Sequence, residues 1–589
     1  MSVFGIWCFV KIVIAKNAGF CMGVRRAVEI VLDTARRQDT PIHTFGPLIH
    51  NPQVIEIFEE KGISAINDVP KTGAGAIIIR AHGVPPKVKN ELRKAGFSVI
   101  DATCPRVTKV QTIIQKHTRK GFAAIIVGDK AHPEVTGLLG YAANQGYVVE
   151  NLDDLNNLPE FEQAIIVAQT TQNTHFFEDV CAWASQKYPH YMVFNTICNS
   201  TDKRQAEVKR IAGLADAIIV VGGHSSGNTK RLAEIAQQAG KQTFHIETES
   251  ELDLTALSSI HSIGITAGAS TPNWIIKKVF RKLESIPLQE SFNWRSALLL
   301  VQRSLLLTNI FVAVGAGALC YACAKLQGFD SYFSQILISM LYVQSMHVLN
   351  HLMGRQADRY NDPDRADFYY KNRWMLSILL VVAGAAGLFT AYTMGLIPFF
   401  ILLTMSVLGF SYNLRLIPKI FSNYTGYRRI KDIPGSKTIL ITVAWGIVTA
   451  IFPALGESGQ LGIDTALAFI WAMSMVFVRT AFFDMLDMQG DRIVGKETIP
   501  ILIGEQHAMR LLRVLLIFSA VILALASLFG VFNSLGYALI ICPVLMLLVI
   551  FASEKKFMQP GIHFEFLVEA HFLLAGVIAW LWSVMSTHP

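Results

Sequence analysis

Along the first half of the chain, short apolar runs alternate with longer stretches of mixed polarity. Ile12-Val-Ile-Ala, Ala76-Ile-Ile-Ile-Arg, Ala123-Ala-Ile-Ile-Val-Gly, Ala164-Ile-Ile-Val-Ala, Ala217-Ile-Ile-Val-Val-Gly and Ser262-Ile-Gly-Ile-Thr-Ala-Gly are rich in β-branched or small apolar residues. Runs of that length and composition predict strands, and helical stretches such as 24–37 and 229–239 separate them. Strand–helix alternation predicts parallel sheets with helices on their faces. From Leu298 onward the pattern gives way to apolar runs long enough to cross a bilayer, roughly 17–25 residues each. They lie near 298–323, 331–350, 374–393, 395–412, 437–455, 463–483, 511–530, 533–552 and 564–585, nine segments in all. The expected organisation is an α/β domain over 11–284, a short linker at 285–297, and an all-α membrane domain over 298–586.

Charge runs through the first half, but in the second it gathers in the loops after the second, fourth, sixth and eighth spans. Arg415, Lys419, Arg428, Arg429 and Lys431 follow the fourth. The opposite loops, such as 456–462, are nearly uncharged, so the positive-inside rule places the basic loops and the N-terminal half in the cytoplasm. The net charge of +8 falls largely in these loops; with no RNP-like motif or basic helix, no nucleic-acid partner is expected. The eight cysteines are sparse and unclustered, which argues against a disulfide framework and for a reducing compartment. Cys320 and Cys323 form a C-x-x-C inside an apolar segment and read as small packing residues. The apolar opening, residues 1–10, has no small-residue cleavage site and runs straight into the first strand, so no signal peptide is expected.

Ligands of parallel sheets gather at the C-terminal ends of the strands, and the polar motifs of the first half fall there. They are Gly46-Pro-Leu-Ile-His50-Asn, Arg80-Ala-His82-Gly, Gly128-Asp-Lys-Ala-His132-Pro-Glu134, Gln169-Thr170-Thr171, Gly223-His-Ser-Ser226-Gly-Asn228-Thr and Ala267-Gly-Ala-Ser270-Thr-Pro. Imidazole, hydroxyl and amide donors beside helix N-termini suit a diphosphate. A zinc site made from His50, His82 and His132 is the competing reading, but it leaves the Ser and Asn turns without a role. Cys21, Cys104 and Cys198 stand far apart at Gly- or Pro-marked bends. Three converging thiolates can hold three irons of a cubane cluster and leave the fourth open to a substrate, unlike an electron carrier with four protein ligands.

Taken in order and spacing, these motifs resemble the 4-hydroxy-3-methylbut-2-enyl diphosphate reductase (LytB/IspH) family over about residues 11–284. The resemblance implies three α/β lobes in pseudo-threefold arrangement, each giving one cysteine to a [4Fe–4S] cluster held by Cys21, Cys104 and Cys198. It implies that His50, His82, His132, Ser226, Asn228 and Ser270 hold the substrate's diphosphate, that Thr170 meets its hydroxyl, and that Glu134 supplies protons. The implied reaction is reductive removal of that hydroxyl, giving isopentenyl and dimethylallyl diphosphate, with a ferredoxin or flavodoxin as electron donor. Gly227 stands where some relatives have a second Ser, so one phosphate contact is expected from backbone.

In the second half, Asp484-Met-Leu-Asp487-Met-Gln-Gly-Asp491-Arg492 and the following Gly495, Thr498 and Pro500 form one specific phrase. On a continuous helix Asp484, Asp487 and Asp491 would share one face, and paired carboxylates at a membrane surface hold Mg²⁺ against a diphosphate. With the spans, the phrase resembles the UbiA family of intramembrane prenyltransferases, as does Ser411-Tyr412-Asn-Leu-Arg415-Leu-Ile-Pro-Lys419. The family's other acidic motif is altered here: Asn350, Asp358, Arg359, Pro363 and Arg365 remain, but two usual carboxylates are His351 and Gly354. Losing two anionic ligands weakens one of two metal sites. Two readings follow. Either both halves are enzymes, the second using a polyprenyl diphosphate, or the second half is a membrane anchor or lipid-binding scaffold for the reductase. An iron–sulfur sensor is disfavoured, because Glu134 and the diphosphate-binding set would have no role.

Overall fold

The structure is a computed structural model that describes residues 11–37, 40–257, 260–284, 294–330, 332–412, 429–457, 459–555 and 561–587. Arg415, Lys419, Arg428, residues 1–10 and most of the expected linker lie outside the described residues. The chain divides into two compact units, Met1–Glu290 and Ser291–Pro589.

The first unit contains twelve strands among its described residues: β1 (Lys11–Ile14), β2 (Ile42–Phe45), β3 (Ile63–Ile66), β4 (Ala76–Ile79), β5 (Ser98–Asp101), β6 (Ala123–Val127), β7 (Gly146–Val149), β8 (Ala164–Ala168), β9 (Met192–Phe194), β10 (Ala217–Val221), β11 (Gln242–Ile246) and β12 (Ser262–Ala267). They form three parallel sheets ordered β3-β2-β4-β5, β7-β6-β8-β9 and β11-β10-β12-β1. Each sheet reads second, first, third, fourth, and β1 takes the fourth place in a lobe whose other strands come last in the sequence. The three lobes are thus one topology repeated, with the chain entering at the end of the third copy.

Six of the twelve strands were expected from the pattern: β1, β4, β6, β8, β10 and β12. Every residue of β4, β6, β8 and β10 is buried, which is why their sequences are unbroken apolar runs. Of the remaining six, β3, β5, β7, β9 and β11 are sheet edges that bury little, and β2 is interrupted by His43. In the second lobe Ile125 and Val127 pack into one apolar cluster while Ala124 and Ile126 pack into another. That period-2 division places helices on both faces of the sheet.

The second unit is all-helical among its described residues. Seven helices are long and apolar enough to cross a membrane: Phe333–Met353, Arg373–Met394, Ser436–Glu457, Ile463–Leu486, Glu505–Leu528, Leu535–Glu554 and Ile562–Ser586. An eighth crossing is available if Leu300–Leu307 and Ile310–Leu326, bent by 75° at a short break, count together. Among the described residues seven or eight crossings are therefore found where the sequence led to an expectation of nine. The segment expected at 395–412 is a helix of 16 residues, Leu396–Ser411. At 1.5 Å per residue it is about 24 Å long, short of a hydrocarbon core of about 30 Å. At the break in the bent pair, Asn309 adopts a left-handed conformation (φ 59°) and its amide donates to Tyr369 Oη at 2.6 Å.

Candidate functional site

The repeated topology places the polar residues of the first unit at equivalent positions. From the last residue of each lobe's first strand, the same five-residue step leads from Phe45 to His50, from Val127 to His132 and from Val221 to Ser226. Three residues beyond the third strand stand His82, Thr171 and Ser270. The cysteines all follow the fourth strands, which are sheet edges: Cys104 after β5, Cys198 after β9 and Cys21 after β1. Each cysteine N–H donates to the carbonyl found two residues past its lobe's third strand: Cys104 to Ala81 (2.9 Å), Cys198 to Thr170 (2.9 Å) and Cys21 to Ala269 (3.0 Å). One backbone hydrogen bond per lobe therefore ties a cysteine to the turn that carries His82, Thr170 or Ser270.

The three histidine rings meet at centroid distances of 4.9 Å (His50–His82) and 5.9 Å (His50–His132), both tilted, and 5.3 Å (His82–His132), edge to face. Burial lowers the His50 pKa, and the Arg80 guanidinium lowers it further. His82 is held well below its ordinary value by burial, then by His50, His132 and Arg80, and His132 is lowered to about 4, chiefly by burial. Near neutral pH all three are uncharged. The Glu134 N–H donates to His132 Nδ1 at 3.1 Å, which leaves the proton of the neutral ring on Nε2. His50 Nε2, His82 Nδ1, Arg80 Nε and Asn228 Nδ2 are buried without a protein partner. Buried donors left open cost free energy unless something accepts from them. Ligand atoms of the three histidines lie within 4.8 Å of one another, close enough to hold a metal ion. The adjacent guanidinium and the Asn228 amide oppose a cation and favour an anion. Arg80 belongs to a motif visible in the sequence, yet its closeness to all three rings was not anticipated.

Ser270 Oγ donates to the His50 carbonyl at 3.0 Å, joining two lobes, and Ser226 Oγ caps the helix Gly227–Gln238. Glu134 is 1% exposed, and both carboxyl oxygens face Thr170, whose N–H lies 2.7 Å from one and whose hydroxyl lies 2.9 Å from the other. Burial raises the Glu134 pKa to about 7 despite those two hydrogen bonds. Thr170 thus contacts Glu134 through its side chain and N–H, and Cys198 through its carbonyl. The cysteines stand at the starts of the helices Met22–Arg37, Pro105–Thr118 and Asn199–Ala212, where helix dipoles favour thiolates. Burial raises the Cys104 thiol pKa, and Cys21 and Cys198 lie near enough to raise it further.

In the second unit the acidic phrase is not one helix. Ile463–Leu486 ends before Asp487, which sits at the junction with Met488–Val494, so the single shared face expected for Asp484, Asp487 and Asp491 is broken. The three remain within electrostatic reach. Burial raises the Asp491 pKa to about 6, Lys496 and Lys437 oppose the rise, and Asp484 and Asp487 add to it. Asp484 is 3% exposed and already partnered: Thr438 Oγ1 donates to it at 2.7 Å and Lys437 Nζ lies 3.3 Å away. Asp491 accepts from Asn361 Nδ2 at 2.9 Å and faces Lys496 Nζ at 3.6 Å. Asp358 meets His351 Nδ1 at 2.8 Å. A cavity of about 220 Å³ lies alongside, apolar over most of its wall, with Asn350, His347, Tyr412 and Lys437 at its polar positions. Nothing in the sequence singled out Lys437, because a lysine at the end of a span reads as an ordinary positive-inside residue.

Residues 12–284 match the family model for the LytB protein, and residues 309–560 match that for the UbiA prenyltransferase family. The first half is similar to the 4-hydroxy-3-methylbut-2-enyl diphosphate reductase of Alkaliphilus oremlandii, at 41% identity over 278 residues, 47% of this chain and 100% of the relative. It is also similar to the Aquifex aeolicus enzyme of the same name, at 42% identity over 280 residues, 47% of this chain and 97% of that one. Among solved structures, the Plasmodium falciparum E-1-hydroxy-2-methyl-but-2-enyl-4-diphosphate reductase covers 48% of this chain and 91% of its own, at 29% identity and a TM-score of 0.46. With its UbiA match and its long apolar helices, the second half is an integral membrane domain.

Proposed function

Because this chain belongs, through residues 12–284, to the LytB family of 4-hydroxy-3-methylbut-2-enyl diphosphate reductases and continues into a UbiA domain, we propose that its first half removes the hydroxyl of (E)-4-hydroxy-3-methylbut-2-enyl diphosphate. Two electrons and two protons enter, the C–O bond breaks, water leaves, and isopentenyl or dimethylallyl diphosphate remains. Cys21, Cys104 and Cys198 would hold a [4Fe–4S] cluster, which when bound supplies electrons singly and an open coordination position. His50, His82, His132, Arg80, Ser226, Asn228 and Ser270 receive the diphosphate, whose oxygens satisfy the donors left open in the protein. Glu134 carries its proton near neutral pH because it is buried, and hands it to the departing hydroxyl. Thr170 positions that hydroxyl. The observation that carries this reading is the placement of Thr170, bonded on one side to the proton carrier and on the other to a cysteine.

The membrane half takes an isoprenoid diphosphate and transfers its prenyl group to an acceptor. Its apolar cavity, with Asn350 at a polar position of its wall, receives the chain, and Asp358, Asp484, Asp487 and Asp491 are the acidic groups that bear on the diphosphate and on any Mg²⁺ bound with it. The basic loops and the reductase half face the cytoplasm, where a ferredoxin or flavodoxin supplies electrons.

The test is anaerobic. The full chain is purified in detergent, reconstituted with iron and sulfide, and assayed for substrate reduction with reduced methyl viologen, with Cys104→Ser and Glu134→Gln as controls. Turnover lost in both variants supports the reading; no turnover from a chain with an intact cluster signal removes it.

A further inference from the structure

The acidic residues of the membrane half are not a set of free ligands awaiting two metal ions. Asp358 is engaged by His351, Asp484 by Thr438 and Lys437, and Asp491 by Asn361 and Lys496. Among the described residues, no three carboxylate or imidazole groups of this half approach closely enough to hold a metal together. The missing carboxylate at 354 is built into the backbone: a Cβ there would come within 2.7 Å of the Asn350 carbonyl oxygen, at the break between Phe333–Met353 and Arg355–Asn361. An aspartate cannot be restored there without moving the main chain.

A cation has access to the cavity that Asn350 lines. Lys437 lines the same wall as Asn350 and Tyr412, and its pair with Asp484 holds it there. We propose that Lys437 grips the diphosphate of an isoprenoid ligand directly, in the role that carboxylates at 351 and 354 would have given to a metal ion. This rests on the reading that the membrane half takes an isoprenoid diphosphate. The ammonium brings one positive charge to the cavity's polar end, and the apolar wall formed by residues such as Met346, Met405 and Leu440 accepts the chain. Thr438 bonds the far oxygen of Asp484, so the carboxylate stays in place when the lysine turns to the ligand.

The probe is radiolabelled geranylgeranyl diphosphate, bound at equilibrium to the full chain in detergent. His50→Ala/His132→Ala silences the first-half pocket, and binding is measured in Mg²⁺ and in excess EDTA. Removing the metal should weaken binding by less than about tenfold. Lys437→Gln should weaken it by about tenfold or more in EDTA, the loss of one charge-assisted contact, and by less in Mg²⁺. Lys437→Arg should keep metal-free binding within about threefold of the parent. Unchanged binding by Lys437→Gln in EDTA, or parent binding that vanishes in EDTA, overturns the role of Lys437. No binding with or without metal removes the ligand class itself. If Lys437→Gln does not fold, Lys437→Arg and the parent still decide the question through metal dependence alone.

Discussion

The two polar sites of this chain are prepared in opposite ways. In the reductase half, polar groups from the first and third lobes are buried with no partner in the protein, and the histidines stay neutral because burial and a guanidinium oppose their charge. In the membrane half, charged side chains arrive already matched: Lys437 with Asp484, Lys496 with Asp491, and Arg479 with Glu569, where Arg479 Nε donates to Glu569 Oε1 at 3.0 Å. The difference follows from the surroundings. A pocket at the ends of parallel sheets can leave neutral donors waiting for an anion, at the modest cost of unmade hydrogen bonds. A bare charge among membrane helices costs far more, so it is held by a counter-charge until a ligand displaces one partner.

The comparison breaks first at the cysteines, where the largest effect is expected. Cys104→Ser should abolish substrate reduction and lower the iron and sulfide bound per chain, while equilibrium binding of geranylgeranyl diphosphate to the membrane half is retained. Loss of both by that one substitution would mean that the halves are not separable sites. Next comes Glu134→Gln, expected to slow reduction by about 10²–10⁴-fold with the cluster signal intact. Burial raises the Glu134 pKa to about 7, so the folded protein prefers the protonated carboxyl. Turnover should therefore fall as pH rises through about 7. The stability this group contributes is present at low pH and is lost over the same rise. Glu134→Gln should flatten both profiles, and a parent profile still flat to pH 9 would remove Glu134 as the proton carrier.

How much of this was legible in the sequence depended on burial. β4, β6, β8 and β10 announce themselves because both faces are covered, whereas β5 and β9, which carry Cys104 and Cys198 to the site, expose much of their length and leave weak apolar signals. The cysteines and histidines could nevertheless be read from the motifs, because each stands in a polar, Gly- or Pro-marked bend whose order and spacing carry the resemblance. The threefold arrangement that brings them together was implied by the family resemblance and not by the apolar pattern, because β1 completes a sheet whose other strands lie about 200 residues later. In the membrane half the acidic phrase was visible but its partners were not. Lys437 and Asp484 are 47 positions apart, on different helices. The break at Asp487 is also hidden, because the residues on either side are equally good helix formers.

A third test concerns the deepest matched pair. Arg479 and Glu569 have side chains only 9% and 5% exposed, joining Ile463–Leu486 to the helix beginning at Ile562. Arg479→Leu should destabilise the membrane half by about 3–5 kcal/mol, because it leaves an uncompensated buried carboxylate. Adding Glu569→Leu should recover most of that loss, since a buried pair replaced by apolar side chains is often neutral. Thermal unfolding in detergent reads both. If the double variant is no better than the single, the pair does more than cancel itself.

The smallest effect sharpens the comparison most directly, because it asks whether the reductase pocket gains charge when filled. With the pocket empty, the histidine pKa values lie below the ordinary range, His132 at about 4. An anion within hydrogen-bond distance favours the imidazolium and raises them. Inorganic diphosphate should therefore bind the first half more tightly as pH falls from 8 to 6, with uptake of up to about one proton. Calorimetry in two buffers of different ionisation enthalpy measures that uptake. His82→Asn is the control that subtracts protonation of the diphosphate itself. An Asp491→Asn variant should show no such uptake in its membrane half with geranylgeranyl diphosphate, because Lys437 enters the complex already cationic in its pair with Asp484 and the carboxylate with a pKa of about 6 is gone. Zero uptake in the first half would mean that the histidines act only as neutral donors, leaving Arg80 as the pocket's cation. Equal uptake in both halves would erase the distinction between a site that acquires its charge and one that holds it in advance.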